Sequence, residues 1–252
     1  MVHFVGAGPG AVDLITVRGL KLIQSADVII YAGSLVNPAL LDEAKSGCII
    51  YNSATMTLDE VVDVFKNAYK DELDVVRLHT GEPSIYGAVR EQMDELEKLG
   101  IEYDSCPGVS ACFGAAASLD LEYTLPGVSQ SLIITRMEGK TKMPPKESIE
   151  SFAAHNTSMA IYLSAGMLDE LSQRLIAGGY KADTPAVLIY KATWPEEKSF
   201  YCDVQSIGII GRDNNITKTA LVIVGNAVAK NGYEKSRLYA DDFSTEYRKA
   251  KE

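Results

Sequence analysis

At 252 residues, 46% hydrophobic and 23% charged, the chain has the composition of a soluble globular protein, enough for one large domain or two small ones. A net charge of −10, with no basic stripe carrying interleaved aromatics, argues against DNA or RNA as a partner. No apolar run approaches the roughly 18 residues of a membrane span, and Met1–Val5 enters a strand without an export signal.

The four cysteines (Cys48, Cys106, Cys112, Cys202) have no CxxC spacing, and His3, His79 and His155 stand far apart. The expectation is a cytoplasmic protein with reduced thiols, no metal centre and no membrane attachment.

In chain order, apolar runs alternate with amphipathic ones. Strands are predicted at His3–Val5, Val28–Tyr31, Cys48–Tyr51, Val75–Leu78 and Glu102–Ser105, and helices at Thr16–Gln24, Leu58–Tyr69 and Ile85–Leu99. Leu58, Val61, Val62 and Phe65 fall at helical spacing, and Thr57 with Glu60 forms a capping box that starts their helix. This alternation predicts a mostly parallel sheet. A small-residue helix follows at Cys112–Ser118, and Leu121–Ser129, with its Pro126-Gly127, reads as a linker. A second α/β unit has predicted strands Ser131–Thr135, Ser158–Leu163, Ala186–Lys191, Ser199–Cys202 and Ala220–Val224. Its helices are expected near Glu147–Ala154, Met167–Ala177 and Val204–Ile210. The charged end, Asp241–Glu252, reads as a peripheral helix or a frayed tail.

Two strand ends carry chemistry. Gly6-Ala7-Gly8-Pro9-Gly10 resembles a dinucleotide loop, but Tyr31-Ala32-Gly33-Ser34 supplies no ribose-binding acid and Pro9 lacks an N–H for a phosphate. Thr80-Gly81-Glu82-Pro83-Ser84-Ile85-Tyr86-Gly87 places bare backbone, a carboxylate and a hydroxyl at the carboxyl edge of a sheet, where open α/β folds bind ligands.

Together with Pro107-Gly108-Val109-Ser110-Ala111 and Ile161-Tyr162-Leu163-Ser164-Ala165-Gly166, these segments resemble, in order and spacing, the tetrapyrrole (corrin/porphyrin) methylase superfamily. The resemblance runs from Phe4 to about Asn226. Within the superfamily, Tyr31–Val36, Asn52–Leu58, Thr135–Gly139 and Met143-Pro144 are most similar to the precorrin-4 C11-methyltransferases of cobalamin synthesis. Ala32 stands where a uroporphyrinogen-III methylase is expected to carry aspartate.

The resemblance implies two α/β domains, residues 1–118 and 119–237, with a cofactor cleft between them and a tail at 238–252. It also implies a homodimer, S-adenosylmethionine as methyl donor and a tetrapyrrole acceptor. Carried over residue by residue, the cofactor-binding positions are Pro9, Thr80, Gly81, Glu82, Ile85, Ser110, Ala111, Leu163 and Ala192. Glycine lets the Gly81 backbone approach a ligand closely, and Glu82 is placed to face the sulfonium or the α-ammonium.

A multi-carboxylate acceptor needs cations and an apolar floor. Arg18 and Arg136 are candidates for the first and Tyr86 and Met137 for the second, whereas Lys140 and Lys142 read as a solvated loop. No catalytic residue is assigned; Glu82, Tyr86 and His79 are the candidates for proton transfer. The alternatives are a superfamily methylase acting at C2/C7, C17 or C20, a diphthine synthase, an NAD-binding oxidoreductase and a non-catalytic tetrapyrrole carrier. Whether the acceptor holds cobalt is left open.

Overall fold

Five apolar runs returning through helices and turns build the first sheet of the computed structural model, which describes residues 1–33 and 35–251. Strands β1 (Val2–Gly6), β2 (Val28–Tyr31), β3 (Ile49–Asn52), β4 (Val75–His79) and β5 (Tyr103–Cys106) lie in the order β3-β2-β4-β1-β5, each pair parallel. Helices α1 (Val17–Ser25), α2 (Leu58–Lys70), α3 (Arg90–Leu99) and α4 (Ala111–Ser118) belong to the same unit.

Because β4 is buried on both faces, its alternate residues feed two cores. Val75 packs with Phe4, Ile30, Phe65 and Leu96, whereas Val76 and Leu78 pack with Val5, Ile23, Ile29 and Leu40. The capping box at α2 is formed: Thr57 N–H donates to the Glu60 carboxylate at 2.6 Å, and Glu60 N–H to Thr57 Oγ1 at 3.3 Å.

The second unit holds β6 (Leu132–Arg136), β7 (Ser158–Tyr162), β8 (Pro185–Tyr190), β9 (Lys198–Asp203) and β10 (Ala220–Val224), in the order β6-β7-β10-β8-β9. This sheet is mixed: β6 and β7 are parallel, while β10 runs antiparallel to both β7 and β8. Helices α5 (Ile149–Ala153), α6 (Leu168–Gly178) and α7 (Ile207–Asp213) pack with it around Met137, Met159, Ile161, Leu171, Leu175 and Leu188.

Three sequence expectations change. The helix predicted from Ile85 begins only at Arg90, because Tyr86 (φ 57°) and Ala88 (φ 48°) are left-handed and interrupt it. The helix predicted at Val204 starts as a 3₁₀ turn, Val204–Ser206, before α7. Lys191–Lys198, read as part of the second domain, clusters with Met1–Ser118, while the second unit comprises Leu119–Tyr190 and the chain from Ser199 onward.

The tail contains a 3₁₀ turn, Arg237–Tyr239, and among the described residues no α-helix beyond it. No helix among the described residues is long and apolar enough to cross a membrane.

Thr57→Ala removes the hydroxyl half of the α2 capping box. The variant is expected to unfold about 1 kcal/mol more easily, read as a lower denaturant midpoint with an unchanged slope.

Candidate functional site

At the carboxyl edge of the first sheet the backbone leaves no room for side chains. A Cβ on Gly108 would lie 2.1 Å from the Gly81 carbonyl oxygen, and one on Gly6 would lie 2.6 Å from the same oxygen and from Gly108 Cα. Gly81 is left-handed (φ 62°) and pairs with Gly8: its N–H donates to the Gly8 carbonyl at 2.8 Å, and Gly8 N–H donates back at 3.3 Å. The ends of β1, β4 and β5 are thereby pressed together.

Glu82 locks this arrangement. Its carboxylate accepts the Gly108 N–H at 2.8 Å and the Ser84 N–H at 3.0 Å. Burial works against its charge, but the N–H groups of Gly108 and Ser84 outweigh that and hold its pKa below the usual carboxylate value. Both oxygens are engaged in tying the loop together, a structural role beside the ligand and proton-transfer roles expected of Glu82.

Around this edge the structure gathers most of the positions expected to bind cofactor in the first unit. The point where a Cβ would sit on Gly81 is 3.7 Å from Ser110 Cα and 3.8 Å from Ala111 N at the start of α4. The Thr80 hydroxyl is buried without a hydrogen-bond partner among the described residues, which is costly unless a ligand or water supplies one. Ile85 is half-buried in the turn, its N–H donating to the Glu82 carbonyl at 3.1 Å.

Ala192 is buried between two left-handed residues, Lys191 (φ 50°) and Thr193 (φ 68°). This segment closes over the glycine loop: Trp194 Nε1 donates to the Pro9 carbonyl at 3.1 Å and Ala11 N–H donates to Thr193 Oγ1 at 3.0 Å. The small-residue character of α4 has a cause here too, since a Cβ on Gly114 would lie 2.7 Å from Pro9 Cγ.

The same bonds argue against a phosphate cradle. Ala7, Gly8 and Ala11 donate their N–H groups to His79 O, Gly81 O and Thr193 Oγ1, and Pro9 has none to give. A pyrophosphate loop needs those donors outward.

Other expected residues lie elsewhere. His79 is corrected as a proton-transfer candidate: it is 4% exposed, stacks on Phe4 and has an unpartnered Nε2. Burial, with a smaller contribution from Arg77, lowers its pKa to about 3, so it stays neutral. Met137, expected in an apolar floor, is 1% exposed and part of the second unit's core. Arg18 is exposed on α1, and Tyr86 is exposed in the left-handed turn.

In the second unit, Arg136 donates to the carbonyls of Met137 (3.0 Å) and Thr141 (3.2 Å), while Lys140 and Lys142 are exposed. Leu163 is largely solvent-exposed, at 62%, and left-handed (φ 52°). Its neighbour Ser164 fixes that geometry, since the buried hydroxyl donates to the Tyr162 carbonyl at 2.6 Å and accepts Met137 N–H at 2.9 Å. A strained, exposed aliphatic held by a buried clamp is the kind of residue that clusters at functional sites.

Sequence reasoning missed the site roles of Gly108, Thr193, Trp194 and Ser164. Gly108 and Ser164 stand in segments it had singled out and Thr193 and Trp194 directly follow Ala192, but bonding partners such as Glu82, Ala11, Pro9 and Met137 are distant in the chain. Tyr31–Val36 and Asn52–Leu58, read separately, are joined by Ser53 Oγ donating to the Tyr31 carbonyl at 3.1 Å; Ser34 lies outside the described residues. Among the described residues no group of three His, Cys, Asp or Glu side chains is placed to hold a metal ion.

The profile of the tetrapyrrole (corrin/porphyrin) methylases matches residues 1–208. The chain is 50% identical to a cobalt-precorrin-4 C(11)-methyltransferase of Methanocaldococcus jannaschii, over 99% of this chain and 96% of that one. It is 42% identical to a precorrin-4 C(11)-methyltransferase of Pseudomonas aeruginosa, over 98% of each. The solved structure of a cobalt precorrin-4 methyltransferase superposes with a TM-score of 0.88 at 40% identity, covering 90% of this chain and 95% of the other.

The neutral His79 makes stability depend on pH. Its pKa is about 3 folded against 6.5 ordinarily, so between those values the unfolded chain binds a proton that the folded one does not. Stability falls as pH drops through that window, by roughly 2 kcal/mol from pH 7 to pH 5 for this group. Urea titrations at the two pH values should show a smaller difference in His79→Phe than in the parent protein.

Proposed function

Since the chain belongs to the tetrapyrrole (corrin/porphyrin) methylases, we propose that it transfers a methyl group from S-adenosylmethionine to C11 of precorrin-4 or cobalt-precorrin-4 in cobalamin biosynthesis. The observation that carries this reading is likeness over nearly the whole chain to relatives that act at C11. The lack of an acid after β2 and the inward-turned donors of the glycine loop speak against the NAD reading.

The residues at the first sheet's edge suit a zwitterionic cofactor. The Thr80 hydroxyl, unpartnered among the described residues, offers a hydrogen bond, and the neighbouring Gly81 backbone lies against the start of α4 at Ser110 and Ala111; Pro9, Glu82 and Ala192 complete the proposed set. When bound, S-adenosylmethionine supplies an electrophilic methyl group whose reactivity comes from its sulfonium, and an electron-rich carbon of the reduced macrocycle takes it. The protein's work is orientation and proximity. Ile85 and Tyr86 present apolar surface from the strained turn, and Leu163 and Arg136 do the same service for the second unit's sheet edge with an aliphatic and a cationic group. Of the three proton-transfer candidates, only Tyr86 keeps an exposed ring.

The enzyme acts in the cytoplasm, which the absence of a disulfide among the described residues fits, and it works as a homodimer. The edge strand β3 supports the latter, since all four of its residues are exposed, Ile49 and Ile50 among them.

Two measurements test the reading. Incubation with S-adenosylmethionine and each acceptor, with and without cobalt, should place one methyl group on C11 by NMR; a methyl at C2, C7, C17 or C20 refutes the position. Thr80→Val exchanges an unpartnered buried hydroxyl for a methyl group, so it should raise stability by about 1 kcal/mol while weakening S-adenosylhomocysteine binding in calorimetry. Unchanged affinity would remove Thr80 from the site.

A further inference from the structure

Arg77 is a buried cation without a counter-charge. It sits in the middle of β4, 7% exposed, and among the described residues no carboxylate lies within ion-pair distance. Such a charge is costly to bury. Burial lowers its pKa only to about 10, so the guanidinium stays protonated at neutral pH.

Its hydrogen-bond partners among the described residues are neutral. Nη1 donates to the Ile30 carbonyl on β2 at 3.1 Å, and Nε donates to Gln92 Oε1 at 2.9 Å. Gln92, 5% exposed on α3, turns its other end back: Nε2 donates to the Ala88 carbonyl at 3.0 Å. Ala88 and Tyr86 are the left-handed residues that delay α3, and no glycine relieves the strain at either position. Gly87, between them, is also confined, since a Cβ there would lie 2.1 Å from the Pro83 carbonyl oxygen.

We propose that Arg77 is a positioning residue for the Thr80–Gly87 loop: through Gln92 it fixes the Ala88 carbonyl, and with it the left-handed turn that presents Ile85 and Tyr86. An apolar side chain at position 77 fills the sheet face without holding the turn, and lysine, with a single nitrogen in place of a planar fork, cannot reach both Ile30 and Gln92 in the same geometry. That the loop takes S-adenosylmethionine rests on the function proposed above; the clamp itself does not.

The experiment uses the full chain with Arg77→Met, Arg77→Lys, Gln92→Leu and the Arg77→Met/Gln92→Leu double variant. Amide hydrogen exchange over Ser84–Val89, denaturant midpoint and S-adenosylhomocysteine affinity are read for each. We expect Arg77→Met to keep or raise the midpoint, as apolar replacement of buried charge often does. Its loop amides should exchange at least tenfold faster and its affinity fall on the order of tenfold.

Gln92→Leu should reproduce both changes, the double variant should be no worse than Arg77→Met, and Arg77→Lys should not rescue them. Unchanged loop exchange in Gln92→Leu overturns the proposal, as do losses that add in the double variant. If Arg77→Met fails to fold, Gln92→Leu decides alone. If the parent protein takes no S-adenosylhomocysteine, the cofactor reading fails while the exchange measurement still judges the clamp.

Discussion

The carboxylate of Glu82 accepting the Gly108 N–H is the contact on which the carboxyl edge of the first sheet depends. It joins the loop after β4 to the loop after β5 at the place where Gly6, Gly81 and Gly108 already touch through bare backbone. Three strand ends meet there because three side chains are missing, and a charged acceptor satisfies a backbone donor that such close packing would otherwise strand. Glu82 is part of the architecture of this edge, and the architecture decides where Thr80, Ser110 and Ala111 stand.

A second regularity runs through both units. Among the described residues, five of the eleven left-handed, non-glycine residues stand in or beside segments expected to contact ligand: Tyr86 and Ala88 after β4, Leu163 after β7, Lys191 and Thr193 after β8. Several have a buried or half-buried polar tie close by: Gln92 for Ala88, Ser164 for Leu163, and the Glu197 carboxylate on the Thr193 N–H. Strain of this kind persists only where the surroundings over-determine it. The result is a set of exposed aliphatic and aromatic side chains held on stiff backbone without being part of a core.

Much of this was legible in the sequence, and what was not has physical reasons. Strands bounded by glycine turns and the capped helix α2 emerge near their expected places because apolar runs and local caps act over a few residues. The delayed start of α3 is not legible, since Tyr86 and Ala88 carry no mark of positive φ. His79 was legible in principle: it keeps step with Val75 and Arg77 on one face of β4, and that register alone buries it. The burial of Met137 and the two bonds of Glu82 depend on partners far along the chain, which periodicity does not report.

The excursion Lys191–Lys198 has a consequence for how the protein comes into being. The first unit is not a continuous stretch of chain: Trp194 and Thr193, which cover Pro9 and meet Ala11, leave the ribosome some eighty residues after α4 is complete. Until then the glycine loop lacks its lid, and the space that Gly10 leaves for the indole stands open. Domains generally fold in order of synthesis; here the earlier one must wait for the later one to be threaded through before its ligand edge is finished. The carboxyl edge of the first sheet is therefore completed late in synthesis, since Pro9 and Ala11 find their partners only once Thr193 and Trp194 are present.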